Sequence, residues 1–269
     1  MDYAVFDPWG VALASAGDEP AIVMTTIDRQ AVPDARGRFG LLADRRLLSP
    51  RRPRLSFRRP GERPLVMEVG DVAIAGYTGR DTEAVKRYIE KLAEEGISPP
   101  ESVPAVFRVG ADRVMAHDVI DVTGLETCGE IEFVLLVTEE GVHVTVGGDH
   151  TDRALEQQSI LLSKQVVPKV VAAEAWRLDE VAGHWDELRL VSTLGEGRPY
   201  QEPGVDFFVP PQAILDLVDA RPGTVVYGGT VSSLMGGFDY DPVFAGRLED
   251  PVLERSIEFT YRSRPMEGK

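Results

Sequence analysis

Two carboxylates stand two positions apart at the head of the apolar run "EIEFVLLV", and a third follows a double glycine in "VGGDH": Glu130, Glu132 and Asp149. Successive side chains on an extended strand alternate faces, so Glu130 and Glu132 point the same way with Cβ atoms about 6–7 Å apart. Val134 and Leu136 continue that face. Two carboxylates on a face that turns apolar repel each other and resist desolvation unless a cation lies between them. An oxygen-preferring divalent ion such as Mg²⁺ or Mn²⁺ meets that need, with Ca²⁺ as a further hard candidate, and Asp149 is a suitable third ligand. A solvated strand end with a capping aspartate is the other reading, and spacing alone leaves both open.

The elements around these residues are short. Phe133 to Val137 is a continuous apolar run followed by "EEG" and "VHVTV", which predicts two strands joined by a tight turn. Leu55 and Phe57, then Leu65, Met67 and Val69, alternate as strands do around a Pro60-Gly61 turn. "VPAVFRV" and "VMAHDVIDV" predict further strands. Val85, Ile89 and Leu92 recur at helical spacing before Gly96, which predicts an amphipathic helix, and "PPQAILDLV" predicts another. "TDRALEQQSILLSK" reads as one helix with Thr151 as N-cap and Leu155 and Leu162 on its buried side. Short strands punctuated by Pro and Gly indicate a β-rich α+β domain over residues 54–269 rather than a doubly wound sheet. Residues 1–53, with only short apolar patches such as "AIVMTTI" and "FGLL", read as an appended, partly disordered extension.

Composition narrows the partners. The 269 residues carry a formal charge of −15, against nucleic acid or an anionic membrane as main partner. Residues 1–60 are the exception at +3, with arginines clustered between Asp44 and Pro60, which reads as a solvated linker. No window approaches the roughly 18 consecutive apolar residues of a membrane span, and the N-terminus lacks the basic residues of a secretory signal, so the expected location is cytoplasmic. The single cysteine, Cys128, excludes an intrachain disulfide framework and reads as a small buried residue. No Gly-x-Ser-x-Gly elbow for serine hydrolysis is present, and "GGTVSSLMGG" lacks the lysine of a phosphate-binding loop.

Taken together, "GEIEFVLLV", "VHVTVGGDHTDRALE", "YQEPG" and "RPGTVVYGGTVSSLMGG" resemble the fumarylacetoacetate hydrolase superfamily, and within it a branch known as a domain of unknown function. The resemblance covers about residues 54–269. It implies a mixed β-roll or sandwich with short flanking helices, a homodimer, and metal ligands at Glu130, Glu132 and Asp149. It further implies Lys164, or less directly Lys169, as the lysine beside the metal, and Arg153, Gln201, Gly229 and Thr230 as substrate-binding positions. The activity implied is metal-dependent hydrolysis, decarboxylation, dehydration or tautomerisation of a small 2-oxo acid, the metal acting as Lewis acid. Two departures bear on mechanism. The lid positions that carry a water-activating His and Glu in family hydrolases read Tyr88 and Lys91, and Gly148 replaces the asparagine before the aspartate. His150, beside Asp149, is then the candidate for proton transfer; His117, His143 and His184 have no evident partners in the sequence. A protein that binds metal and a carboxylate ligand without turnover is the alternative function.

Overall fold

The computed structural model describes residues 52–94 and 96–266, together with residues 3–7, 11–17 and a few positions between 19 and 26. Two compact units divide at Met1–Arg51 and Arg52–Lys269. In the first, Tyr3–Phe6 pairs antiparallel with Ala12–Ala16. The "FGLL" patch and the arginines from 45 to 51 lie outside the described residues.

The second unit is two facing sheets. Strand Ile131–Thr138 sits near the middle of the larger one because almost every side chain on it is apolar and both its faces are buried. It forms a hairpin with Gly141–Asp149, in which Thr138 pairs with Gly141 across the Glu139-Glu140 turn and Glu132 pairs with Gly147. On the other side it pairs antiparallel with Thr224–Tyr227, which runs parallel to Asp71–Gly76, itself antiparallel to Ala105–Val109. Lys169–Val171 and Val114–Met115 extend the sheet beyond Gly141–Asp149. The smaller sheet places strands in the order Arg198–Gln201, Arg189–Leu194, Val243–Asp250, Arg255–Pro265 and Val119–Val122. The segment "VMAHDVIDV", expected as a strand, is divided between Val114–Met115 in the larger sheet and Val119–Val122 in the smaller one.

Alternation along the central strand divides the core in two. Ile131, Phe133 and Leu135 face the smaller sheet and pack with Leu190, Phe244, Leu248 and Tyr261. Val134 and Leu136 face away, packing with Ile74, Val225, Tyr227 and the hairpin Leu55, Phe57, Leu65 and Met67. That hairpin has the expected register, Leu55 opposite Met67 and Phe57 opposite Leu65, with Gly61 supplying the left-handed turn at φ 76°. The helix Thr82–Glu94 buries Val85 and Leu92, and Pro211–Leu217 buries Ile214 and Leu215.

The segment "TDRALEQQSILLSK" departs from expectation. It is two short helices, Arg153–Glu156 and Ile160–Gln165, because Ser159 starts the second by accepting a bond from Leu162 N–H. Asp152, not Thr151, caps the first, accepting from Leu155 N–H. Leu162 is 52% exposed, and the buried face is polar: Arg153, Glu156, Ser163 and Lys164. A face turned toward charged groups rather than toward the core defeats an apolar-period reading. Among the histidines, His143 is buried beside Arg59, and His184 Nε2 pairs with Asp250 Oδ1 at 3.0 Å. Among the described residues no helix is long and apolar enough to cross a membrane.

Phe133 is fully buried and meets Trp185 and Phe208 edge to face, at 5.2 and 5.6 Å between ring centroids. Phe133→Ala is expected to lower stability by about 3–5 kcal/mol. Urea denaturation checks this as a lower midpoint with an unchanged m-value.

Candidate metal centre

The pleat and the hairpin register assemble the centre. Glu132 shares the face of Val134 and Leu136, and Asp149, at the end of the paired strand, shares the face of Gly147 opposite it. Gly147 keeps this corner open, since a Cβ there would stand 2.5 Å from the Val170 carbonyl oxygen. Glu130, Glu132 and Asp149 each offer an oxygen within 4.8 Å of the others, and all three are buried. They are the only such group of metal-ligating side chains among the described residues.

Each carboxylate is held by its own partner. Arg153 Nη2 lies 2.9 Å from Glu130 Oε1, while its Nη1 donates to Glu156 at 2.7 Å and its Nε to Cys128 Sγ at 3.1 Å. The guanidinium also lies 3.9 Å from the centroid of the Phe238 ring. Gly229 N–H donates to Glu132 Oε2 at 2.7 Å. Gly229 has φ 114°, and a Cβ there would meet the Thr78 hydroxyl, so a glycine lets the amide come this close. Asp149 accepts from Lys164 Nζ, and Lys169 Nζ lies 3.0 Å from its other oxygen. Lys164 Nζ also lies 3.7 Å from Glu130, so its ammonium stands among the carboxylates.

These contacts set the protonation states. Burial alone would raise the Asp149 carboxyl, but the ammonium groups of Lys164 and Lys169 outweigh it and hold it at about 2. Burial and the neighbouring Asp149 charge push Glu132 well above the usual carboxylate range. Burial opposes the charge on Lys164, yet Asp149 and Glu130 prevail and raise it above an ordinary lysine. Lys169 goes the other way, burial lowering it to about 8 against the pull of Asp149. Glu130, Glu132, Asp149 and Glu156 face the cations Lys164, Lys169 and Arg153, so with every group ionised four buried carboxylates exceed three buried cations by one charge, an excess that the raised Glu132 relieves by holding a proton when no ion is bound. A dication reverses that sign and leaves the centre suited to a carboxylate ligand. The all-oxygen donor set, the raised Glu132 and the excess negative charge fit a hard divalent ion.

The centre opens on a cavity of about 360 Å³ lined by Glu130, Glu132, Arg153, Glu156, Lys164, Gly229 and Thr230 together with Tyr77 and Tyr88. Of the residues expected at the site, His150, Lys169 and Gln201 do not line this cavity, and Thr230 lines it with its hydroxyl already bonded. His150 falls on the opposite pleat face from Asp149: its Nδ1 pairs with the Tyr261 hydroxyl at 2.9 Å between the sheets, and burial together with Lys169 lowers it to about 3. It is neutral and does not line the cavity. Lys169 is fully buried behind Asp149 and donates to the His150 carbonyl, which makes it a positioning group. Gln201 accepts from Ile131 N–H at 2.9 Å and donates to Thr230 Oγ1 at 3.0 Å, bracketing the Glu strand to the glycine loop. Thr230 Oγ1 in turn donates a hydrogen bond to the Ile131 carbonyl at 3.0 Å. Lys91 is exposed and donates to the Gly236 carbonyl at 3.1 Å.

Two groups at the cavity, Glu156 and Tyr77, went unrecognised in the sequence. Glu156 is buried against Arg153, and its only signal was the i, i+3 spacing in "RALE". Tyr77 holds a left-handed backbone at φ 60° and lines the cavity, its phenol raised to about 12 by burial and the Glu156 charge. Tyr88, 6.4 Å from it between ring centroids, is raised further, again chiefly by burial. Burial likewise raises the Cys128 thiol, consistent with a structural acceptor for Arg153.

Comparison with solved structures places this architecture. A 2-keto-3-deoxyarabinonate dehydratase in a hexagonal crystal form is similar with TM-score 0.54 and 15% identity, covering 93% of this chain and 85% of its own. The same kind of enzyme complexed with magnesium and 2,5-dioxopentanoate gives TM-score 0.50 and 17% identity, covering 92% and 85%. A fumarylacetoacetate hydrolase from psychrophilic Exiguobacterium antarcticum gives 0.51 and 14%, covering 72% and 75%. At such identities the likeness is one of fold. No curated protein matches the chain in sequence. A family model described as "Protein of unknown function (DUF2848)" matches residues 75–261, which span both sheets and every residue of the centre. The chain belongs to that family, on the fold of the fumarylacetoacetate hydrolase superfamily.

Proposed function

We propose that the protein is a divalent-metal-dependent enzyme acting on a small, enolisable 2-oxo carboxylic acid. The observation that carries this reading is the buried triad of Glu130, Glu132 and Asp149, within 4.8 Å of one another at a cavity that Lys164 also lines. A structural neighbour complexed with magnesium and 2,5-dioxopentanoate supports it. The three carboxylates would hold the ion, which as a Lewis acid stabilises negative charge developing on the substrate's oxo oxygen. Lys164, kept charged by Asp149 and Glu130, offers a cation to the substrate carboxylate. Arg153 and the Gly229 amide orient two of the ligands, and Lys169 positions the third.

The chain's own groups favour lyase or isomerase chemistry over hydrolysis. Tyr88 and Lys91 occupy the positions of the water-activating pair: one is a phenol held protonated by burial, the other an ammonium bonded to Gly236. The Tyr88 phenol is no base at neutral pH, and Lys91 does not line the cavity. Tyr77 and Tyr88, as protonated phenols, can supply a proton but not remove one, which suits protonation of a leaving group or of a carbanionic carbon. The same missing base motivates a second reading, a protein that binds metal and carboxylate without turnover.

The protein purified with Mg²⁺ or Mn²⁺ and offered oxaloacetate, acylpyruvates and 2-oxo-3-deoxy sugar acids is expected to give chelator-sensitive decarboxylation, dehydration or tautomerisation. Tight metal binding without turnover of any of them would select the second reading. Glu132→Gln is expected to weaken metal affinity by more than about 100-fold, because losing a mere orienting partner costs roughly 10–100-fold. The amide mimics the protonated carboxyl, so the metal-free variant should unfold at an unchanged denaturant midpoint. Unchanged metal affinity in titration calorimetry would remove Glu132 from the ligand set.

A further inference from the structure

The charged residues of the cavity are tied to one another and so form a single patch: Arg153 binds Glu130 and Glu156, and Lys164 binds Asp149. The rest of the lining has another character. Ile74, Val85, Leu92, Phe107, Ile160 and Phe207 contribute apolar side chains from two strands, two α-helices and a short 3-10 helix. Val85 and Phe207 both crowd Gly79, and Phe107 covers Gly76, so this wall is continuous with the turn that carries Tyr77. The hydroxyls nearby are largely committed. Thr78 donates to the Gly228 carbonyl at 2.7 Å, and Thr230 donates to Ile131 and accepts from Gln201. Among the described lining residues only Tyr77, Tyr88 and Ser232 have hydroxyls without a hydrogen bond.

At about 360 Å³ the cavity is within the range of sites that enclose whole small molecules, about 300–1,000 Å³. A three-carbon 2-oxo acid held at the triad leaves most of it to be filled by whatever the third carbon bears. We propose that this cavity selects 2-oxo acids carrying an alkyl or aryl substituent of several carbons over those carrying a polyol. The proposal rests on the metal-dependent 2-oxo acid reading above and names the substrate class within it. Burying each methylene against the wall raises affinity about fourfold. Each polyol hydroxyl left without a partner lowers it by about fivefold or more. Sequence motifs around the triad carry no information on this choice, because the apolar wall is built by elements outside them.

Titration calorimetry of the Mg²⁺-loaded protein tests the proposal through binding. The ligands are pyruvate, 2-oxobutyrate, 2-oxopentanoate, 2-oxohexanoate, phenylpyruvate and a 2-oxo-3-deoxypentonate. The dissociation constant is expected to fall about fourfold per added methylene, with the deoxypentonate no tighter than pyruvate. Phe207→Ala, at a side chain 41% exposed and so removable without loss of the fold, is expected to flatten the chain-length series, with the loss of affinity growing with chain length and smallest for pyruvate. Phe107→Ala, on a separate strand, should do the same. A flat series in the unaltered protein, or a deoxypentonate that binds more tightly than 2-oxohexanoate, overturns the selectivity. Failure of every member to bind, or binding indifferent to Mg²⁺, overturns instead the functional reading beneath it.

Discussion

Three carboxylates brought within 4.8 Å of one another in a protein interior are the constraint around which this domain is organised. Like charges at that distance in a poorly screened medium cannot all persist without compensation. The chain supplies three kinds: a guanidinium on Glu130, a backbone amide on Glu132 and two ammonium groups on Asp149. Each compensating group comes from a different part of the chain. The helix starting at Arg153, the glycine loop after Tyr227, the helix carrying Lys164 and the strand starting at Lys169 must all be in place at once. The sandwich packing beneath Ile131 and Phe133 fixes the strand, and the Gln201 bracket joins that strand to the loop.

Much of this was legible in sequence because a strand's period of two leaves little freedom. Once Phe133 to Val137 is a buried strand, Glu130 and Glu132 must share a face, and a tight hairpin must bring Asp149 back beside them. The helix bearing Val85 and Leu92 was legible for the same reason, its apolar stripe being directed at a core. The segment from Thr151 to Lys164 failed because its buried face carries Arg153, Glu156 and Lys164, so hydrophobicity gives the wrong phase. His150 failed through alternation itself: adjacency to Asp149 in sequence guarantees that it faces the opposite layer, where it meets Tyr261.

The position of Lys164 is also physically informative. An ammonium that bonds Asp149 and stands 3.7 Å from Glu130 performs electrostatically part of what a metal ion would. This allows the three carboxylates to stay buried and ordered without an ion, so a metal bound here would meet a preorganised centre rather than assemble one. Repulsion not relieved in this way falls on Glu132, which burial and Asp149 push well above the usual carboxylate range.

Gly148 has a consequence for substitution across the two sheets. A Cβ at this position would lie 3.0 Å from the Tyr261 ring, and that ring is pinned between the sheets by its hydroxyl's pairing with His150. A larger side chain before the aspartate would therefore require the Tyr261 ring to give by a few tenths of an ångström. Substitutions at positions 148, 150 and 261 are thus expected to be non-additive across the two sheets, because all three meet at one ring.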